Sequence, residues 1–204
     1  GKLADSDREN LEAKSFYVRQ VEVVHYSRKL VFDTCYGVPN GEALDEGSRA
    51  LLETMKPAAP LERMLDLGCG WGGAAILAAQ IHGVGQMTLV ESGARAISMA
   101  RRNVERHGLS DCTSFRHEAN CESILDSGGE EGFYDAVISN PSHATDRRIA
   151  DLFVRASFKA LKTGGQIWIV CKADSGLHEK ISAVYGRVDV LMRRGCKVYT
   201  ATKK

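Results

Sequence analysis

The spacing of apolar residues predicts strands that alternate with helices through most of the chain. Short apolar runs typical of buried strands end at Leu67, Glu91, His117 and Asn140, and a fifth such run covers residues 166–171. Strands that alternate with helices at this spacing indicate a parallel sheet covered by helices on both faces. Because ligands bind at the carboxyl ends of the strands in such sheets, the loops after the first four strands are expected to carry the chemistry.

Glycines predict where the helices between these strands end. One helix begins near Gly72 and closes at Gly83, and the next closes at Gly108. A longer amphipathic helix is expected from Arg147 onward, with its apolar side formed by Ile149, Leu152, Phe153, Ala156 and Leu161.

The sequence near each end of the chain predicts a β-hairpin, in contrast to the alternating strands and helices of the middle part. Near the amino end, apolar and polar residues alternate in two runs joined by a polar turn at residues 27–29, and a helix follows from about Asp45. Near the carboxyl end, two alternating runs flank Gly195. We therefore expect an N-terminal extension of a β-hairpin and a helix at residues 1–60, packed on a core domain at residues 61–204.

Composition places the chain among ordinary globular proteins. It has 204 residues, 44% of them hydrophobic and 26% charged, with a formal net charge of +1. This charge argues against binding of nucleic acid by the surface as a whole, although a local basic face is compatible with it. No apolar run is long enough to span a bilayer, and the polar amino end lacks the apolar core of a signal peptide.

The cysteine pattern predicts thiols rather than disulfides or a metal site. None of the six cysteines forms a C-x-x-C pair, and several lie in strand-like apolar runs. We expect reduced thiols in a cytoplasmic, metal-free monomer that does not bind membranes. The six are Cys35, Cys69, Cys112, Cys121, Cys171 and Cys196.

The loop after the first buried strand reads LDLGCGWGG, and its glycines are compatible with two cofactors. Gly68, Gly70 and Gly73 satisfy the G-x-G-x-x-G pattern of dinucleotide sites, and Glu91 follows Gly70 at a fitting distance. The same loop also reads D-x-G-x-G-x-G from Asp66, a form that suits S-adenosylmethionine. An acid there can pair with the ammonium of this cofactor, and Glu91 can bind its ribose hydroxyls.

The loop after the fourth buried strand favours the second cofactor. It reads ISNPSHATDRR, and Asn140-Pro141 lies at the ligand-bearing end of the predicted sheet. A dehydrogenase gives no reason for Asn-Pro at this place. An Asn-Pro-Pro-aromatic tetrapeptide at such a place holds an amino group for methylation in a large class of enzymes.

These motifs together resemble the class I methyltransferases, and within them the "methyltransferase small" domain of bacterial ribosomal RNA guanine-N2 methyltransferases. The resemblance extends over nearly all of the chain from about residue 26. The matching segments are YGVPNGEALDEGSRALLE, LDLGCGWGG, EANCES, YDAVISNPSH and CKVYTATK. It implies a Rossmann-like α/β fold with a seven-stranded, mostly parallel sheet and an antiparallel C-terminal strand, plus the N-terminal β-hairpin.

The resemblance also implies roles for individual residues. S-adenosyl-L-methionine would be bound by the glycine loop, by Glu91 at the ribose, and by Asn120 and Cys121 at the adenine. Asn140 and Pro141 would face the methyl acceptor. The family places an aromatic ring where this chain has His143, and a second proline where it has Ser142. We expect His143 to stack on the acceptor. The cofactor-binding set is Asp66, Gly68, Cys69, Gly70, Gly72, Glu91, Asn120 and Cys121.

Three functions remain open from the sequence. The first is N-methylation of an exocyclic guanine amine in structured ribosomal RNA, with RNA as the partner. The second keeps the cofactor and methylates a small amine or a protein side chain. The third is a catalytically silent RNA-binding paralogue, which the loss of the second proline would suit and the intact glycine loop argues against.

Overall fold

A computed structural model describes residues 17–25, 27–126, 131–141, 147–171 and 176–204. Within these residues the strands are β1 (Tyr17–His25), β2 (Arg28–Cys35), β3 (Arg63–Leu67), β4 (Gln86–Glu91), β5 (Thr113–His117), β6 (Tyr134–Ser139), β7 (Leu161–Cys171), β8 (Asp189–Arg193) and β9 (Cys196–Thr202). The helices are α1 (Glu46–Thr54), α2 (Gly73–His82), α3 (Ala94–Arg106), α4 (Glu122–Leu125), α5 (Arg147–Ala160) and α6 (Leu177–Tyr185). A 3-10 turn covers Ser110–Cys112.

The described strands form the predicted mixed sheet and the predicted N-terminal hairpin. Seven strands pair in the order β5-β4-β3-β6-β7-β9-β8, while β1 and β2 pair antiparallel in a separate sheet. The pairs from β5 to β7 are parallel, and β9 runs antiparallel to both β7 and β8. The α/β fold class expected from the sequence is therefore confirmed.

The order of the strands places a crevice between β3 and β6. From β3 the chain proceeds outward through β4 and β5, whereas β6 returns to the other side of β3 and continues to β7. Leu67 at the end of β3 lies beside Ser139 at the end of β6. In such sheets ligands bind where the strand order reverses, here between β3 and β6. The loops that follow these two strands are therefore expected to form a ligand site.

The two faces of the sheet bury different sets of residues because side chains alternate along each strand. Met64 packs with the hairpin, α1, α2 and α3 on one face. Leu65 and Leu67 pack with α4, α5 and α6 on the other face. By this alternation Asp66 faces the α1–α2 side of the sheet.

The hairpin is tied to the rest of the chain by a buried carboxylate. Asp33 on β2 is only 2% exposed and accepts hydrogen bonds from Arg106 at 2.8 Å and Arg102 at 3.2 Å, both on α3. Burial acts to raise the pKa of Asp33, but the bonds from Arg106, Gln20 and Arg102 hold it below its ordinary value. The boundary expected at residue 60 stays a prediction, since the hairpin shares one apolar cluster with the sheet.

Three details differ from the sequence-based expectation or lie outside the description. The helix from Arg147 ends at Ala160, and Leu161 already pairs with Tyr134 at an irregularity of the β6–β7 ladder. Leu161 is therefore buried by the sheet and does not belong to the apolar side of α5 as predicted. The short helix α4 was not predicted. Ser142 and His143 lie outside the described residues, as does the amino end before residue 17.

Candidate active site

A cleft lies at the crevice between the carboxyl ends of β3 and β6. It brings together residues from the β3 and β6 loops, the end of β4, and the segment that joins β2 to α1. Its lining includes Pro39, Asn40, Leu44, Asp45, Ser48, Asp66, Gly68, Cys69, Gly70, Trp71, Glu91, Ser139 and Asn140.

The glycine loop adopts a conformation that its glycines make accessible. Gly68, Gly70 and Gly72 have φ angles of 79°, 57° and 83°, in the left-handed region that side chains disfavour. The backbone N–H groups of Gly68 and Cys69 both donate to the carbonyl of Val90, which draws the loop toward β4. The amino end of α2 follows directly, and Gly73 and Ala74 of its first turn line the cleft.

Glu91 connects the end of β4 to this loop. Its Oε2 accepts the N–H of Gly70 at 2.9 Å, and its Oε1 accepts the N–H of Gly93 at 2.7 Å. The residue is half-buried at the rim of the cleft. It is therefore held by backbone groups on both sides while its carboxylate remains at the cleft, where a hydroxyl-bearing ligand can reach it.

Asp66 is a buried carboxylate with an unsatisfied oxygen. It is 3% exposed, it lines the cleft, and its Oδ2 has no hydrogen-bond partner among the described residues. Burial, with a smaller contribution from the charge of Glu91, raises its pKa to about 8. A buried acid beside a second carboxylate is stabilised in its ionised form by a nearby cation, so this part of the cleft suits a positively charged ligand.

Cys69 lies between these acids but does not have the properties of a nucleophile. Its side chain is buried, and burial together with the charges of Asp66 and Glu91 raises its pKa well above the ordinary thiol value. Thiolate formation is therefore suppressed at neutral pH.

A fully buried asparagine on α3 supports the glycine loop from behind. Asn103 accepts the N–H of Asp33 at 2.7 Å and donates to the carbonyls of Asp33 at 3.0 Å and Trp71 at 2.8 Å. Trp71 in turn donates from its indole N–H to the carbonyl of Asn40 at 3.2 Å. These bonds connect the hairpin, the glycine loop and the β2–α1 segment around the cleft.

Asn140 stands at the end of β6 and is held by the start of α1. Its Nδ2 lies 2.9 Å from the Oδ1 of Asp45 and 2.9 Å from the Oγ of Ser48. Directly before it, Ser139 donates from its buried hydroxyl to the carbonyl of Leu67 at 2.7 Å. The asparagine is thus fixed from both β3 and α1.

The structure brings together most of the site residues named from the sequence. Asp66, Gly68, Cys69, Gly70, Glu91 and Asn140 all line the cleft, whereas Gly72, Asn120, Cys121 and Pro141 are not part of its described lining. Gly72 precedes α2, and the buried Cys121 precedes α4 with its side chain in the core. Asn120 is exposed and donates to Glu122. The roles of all these residues, and that of His143, stay predictions.

The β2–α1 segment is the part of the site that sequence reasoning missed. The sequence marked it only as a segment that resembles the family and leads into a helix near Asp45. In the structure its residues line the cleft, namely Pro39, Asn40, Leu44, Asp45 and Ser48. The available signal was Asp45 followed three residues later by Ser48 at a helix start, a pattern that reads as an N-cap. Asp45 does cap α1, but it also reaches Asn140.

Two arginines near the carboxyl end of the chain are paired with carboxylates of α1. Arg193 and Arg194 in the C-terminal hairpin bond to Glu53, and Arg194 also bonds to Glu46. Arg148, in the first turn of α5, is exposed.

Two kinds of feature are absent from the described residues. None of their helices is long and apolar enough to cross a membrane. Nor do they contain a cluster of three or more His, Cys, Asp or Glu side chains able to hold a metal ion. All six cysteines lie within the described residues, and none forms a disulfide.

Comparison with known proteins identifies the family. Residues 29–200 match the methyltransferase small domain, and the chain belongs to this family. The chain is 33% identical over 173 residues to the ribosomal RNA small subunit methyltransferase C of Proteus mirabilis, covering 82% of this chain and 49% of that protein. It is 29% identical over 166 residues to the ribosomal RNA large subunit methyltransferase G of Vibrio vulnificus, covering 79% of this chain and 43% of that protein.

A solved structure shares the fold. The 16S rRNA N2 guanine methyltransferase of T. thermophilus, in complex with AdoMet and guanosine, superposes with a TM-score of 0.80 at 21% identity. The match covers 93% of this chain and 51% of that one. The chain thus spans about half the length of the curated relatives it matches. The family resemblance seen in the sequence motifs is confirmed.

Proposed function

We propose that this chain is an S-adenosylmethionine-dependent N-methyltransferase whose acceptor is the exocyclic amine of a guanine in structured ribosomal RNA. The observation that carries the proposal is the amide of Asn140. It lies at the switch-point cleft with its N–H side turned to Asp45 and Ser48, beside a glycine loop and two acids. The names of the relatives, which are ribosomal RNA methyltransferases, support RNA as the acceptor.

The residues of the cleft fit S-adenosylmethionine, whose amino-acid end carries an ammonium and a carboxylate. The unsatisfied Oδ2 of Asp66 suits the ammonium, and the amino end of α2 suits the carboxylate because its backbone N–H groups have no intrahelical partners. Glu91, at the end of β4, would accept the ribose hydroxyls. When bound, the cofactor supplies an electrophilic methyl group on a sulfonium.

Asn140 would align the acceptor. An exocyclic amine on guanine is a weak nucleophile because its lone pair is delocalised into the ring. The Oδ1 of Asn140 and the backbone carbonyl next to Pro141 would accept the two amine N–H bonds, which favours the pyramidal geometry and the positive charge that develops on the nitrogen. Most of the rate enhancement would come from this alignment, since the displacement must be in line.

Pro141 and His143 would complete the acceptor side. Proline has no backbone N–H, so at this position the chain offers acceptors and not donors to the amine. His143 would stack on the face of the guanine, as aromatic side chains do with bases taken out of a helix. The amine can lose its extra proton to solvent after transfer, so the mechanism needs no strong base.

The most direct test of the acceptor class is transfer of a labelled methyl group from S-adenosylmethionine. The purified chain is incubated separately with total RNA, protein and small-molecule fractions of a cell extract. The proposal predicts label in RNA, recovered as N2-methylguanosine after digestion to nucleosides. Label in protein or in small amines would show that the chain methylates those acceptors instead of RNA. Cofactor binding without methyl transfer to any fraction would indicate a silent paralogue.

A further inference from the structure

The start of α1 holds the side-chain amide of Asn140 through a contact that spans 95 residues of chain. The Oδ1 of Asp45 accepts from Nδ2 at 2.9 Å, and the Oγ of Ser48 accepts from the same nitrogen at 2.9 Å. Ser48 donates its own hydroxyl proton to the Oδ2 of Asp45 at 2.8 Å, which leaves its oxygen lone pairs directed at Asn140. The three side chains form a closed set of hydrogen bonds.

The chemistry of this set allows one orientation of the amide. An ionised carboxylate can only accept hydrogen bonds, so the amide nitrogen, and not the oxygen, must face Asp45. Both N–H bonds of Asn140 are then used, one by Asp45 and one by Ser48. What the amide can still offer to an acceptor molecule is its oxygen, which is the group that the proposed transfer requires.

Gly47 makes room for this arrangement. It lies buried in the first turn of α1, between the two residues that hold Asn140. A Cβ at this position would stand 2.9 Å from the Oδ1 of Asn140, closer than Cβ atoms come to other atoms in folded proteins, and 3.1 Å from its Nδ2, which is a tight contact. The close approach of the helix backbone to the amide therefore depends on the missing side chain.

We propose that Asp45, Gly47 and Ser48 are positioning residues of the acceptor site, an inference that rests on the proposed function of Asn140. Asp45 and Ser48 turn the amide oxygen of Asn140 toward the acceptor. Gly47, which has no side chain, leaves room for the amide beside the helix backbone. The N-terminal turn of α1 is thus part of the methyl-transfer machinery, although none of its three residues needs to touch the acceptor.

A mutant cycle tests whether these residues act through Asn140. Ser48→Ala and Gly47→Ala are each made alone and together with Asn140→Ala, and turnover is measured with the acceptor fraction that the wild type labels. Each single variant should lower kcat by about 10- to 100-fold, the range for small misplacement of a catalytic group, with the cofactor Kd unchanged. In the Asn140→Ala background neither change should lower kcat further.

The matched control is Ser157→Ala, which removes another buried serine hydroxyl, one that bonds to Val154 and Tyr185 on the opposite face of the sheet. It should lower thermal stability and leave kcat unchanged. The proposal would be overturned if Ser48→Ala or Gly47→Ala lowered kcat by the same factor in the Asn140→Ala background as in the wild type. A folded Ser48→Ala protein with wild-type kcat would also overturn it.

A second measurement needs no acceptor and separates this inference from the proposed function. The side-chain amide protons of Asn140 are assigned by nuclear magnetic resonance from the signals that Asn140→Ala removes. Their exchange with solvent should be slowed in the wild type and accelerated in Ser48→Ala. Fast exchange in the wild type, or exchange unaffected by Ser48→Ala, would overturn the positioning role. If the amide is held but no fraction accepts a methyl group, the proposed function fails and the positioning contact stands.

Discussion

The Oε2 of Glu91 accepts the backbone N–H of Gly70 at 2.9 Å, which joins the end of β4 to the middle of the glycine loop. With Gly93 on its other oxygen, the carboxylate is oriented by two backbone groups that belong to different elements. A rim residue held in this way loses little conformational freedom when it binds a ligand, so its bonds to ribose hydroxyls would contribute more fully to affinity.

Glu91→Ala should weaken the binding of S-adenosylmethionine by about 1–3 kcal/mol, roughly 5- to 150-fold in Kd, because it removes charge-assisted hydrogen bonds. Calorimetric titration measures the change. Glu105→Ala, at an exposed position on α3, serves as the control and should bind like the wild type. An unaltered Kd for Glu91→Ala would refute the ribose role.

The position of the site could be predicted from the sequence, but part of its construction could not. Apolar runs that end at Leu67, Glu91 and Asn140 mark the carboxyl ends of parallel strands, and such ends converge whatever the details of packing. The contact between Asp45 and Asn140 depends instead on how α1 docks on the sheet. The buried position of Asn103 behind the glycine loop could not be predicted either, since a single asparagine in an amphipathic helix is usually assigned to the solvated side of the helix.

Asp66 should make the cofactor-free protein less stable as pH rises. Its pKa is raised to about 8 in the folded state by burial and by Glu91, while the unfolded chain has the ordinary value near 3.8. Between these values the folded state holds a proton that the unfolded state has lost, so the free energy of unfolding falls by up to about 1.4 kcal/mol per pH unit. Asp66→Asn removes this dependence, and denaturant unfolding at several pH values measures it.

Near pH 3.8, Asp66→Asn and the wild type should have similar free energies of unfolding. Near pH 8, the variant should be the more stable protein. The same titration predicts that binding of the cationic cofactor to the wild type releases a proton near neutral pH, which the variant would not do. Equal pH dependence of the two proteins would show that Asp66 is ionised throughout.

Asn103→Ala should lower the free energy of unfolding by about 2–4 kcal/mol, because it leaves buried backbone groups of Asp33 and Trp71 without partners. It should also weaken cofactor binding, since the carbonyl of Trp71 belongs to the glycine loop. Ser157→Ala controls for stability alone and should bind the cofactor normally. Normal binding by a folded Asn103→Ala protein would limit the role of Asn103 to stability.

His143→Phe should preserve or raise turnover if the residue stacks on the acceptor, since phenylalanine is the better stacking surface. Rates across the neutral pH range should then have the same profile in the variant and the wild type. Loss of most of the rate together with a change in the profile would instead show that His143 takes a proton from the acceptor.

Formation of N2-methylguanosine in ribosomal RNA measures whether Asn140 aligns an exocyclic amine of guanine for methylation. RNA treated with the wild type or with Asn140→Ala is digested to nucleosides and quantified by mass spectrometry, with cofactor Kd measured in parallel. We expect N2-methylguanosine with the wild type, and a rate lower by about 100-fold or more with Asn140→Ala at an unchanged cofactor Kd. Wild-type turnover by Asn140→Ala, or a methyl group found only on another atom, would show that Asn140 does not align the N2 amine of guanine.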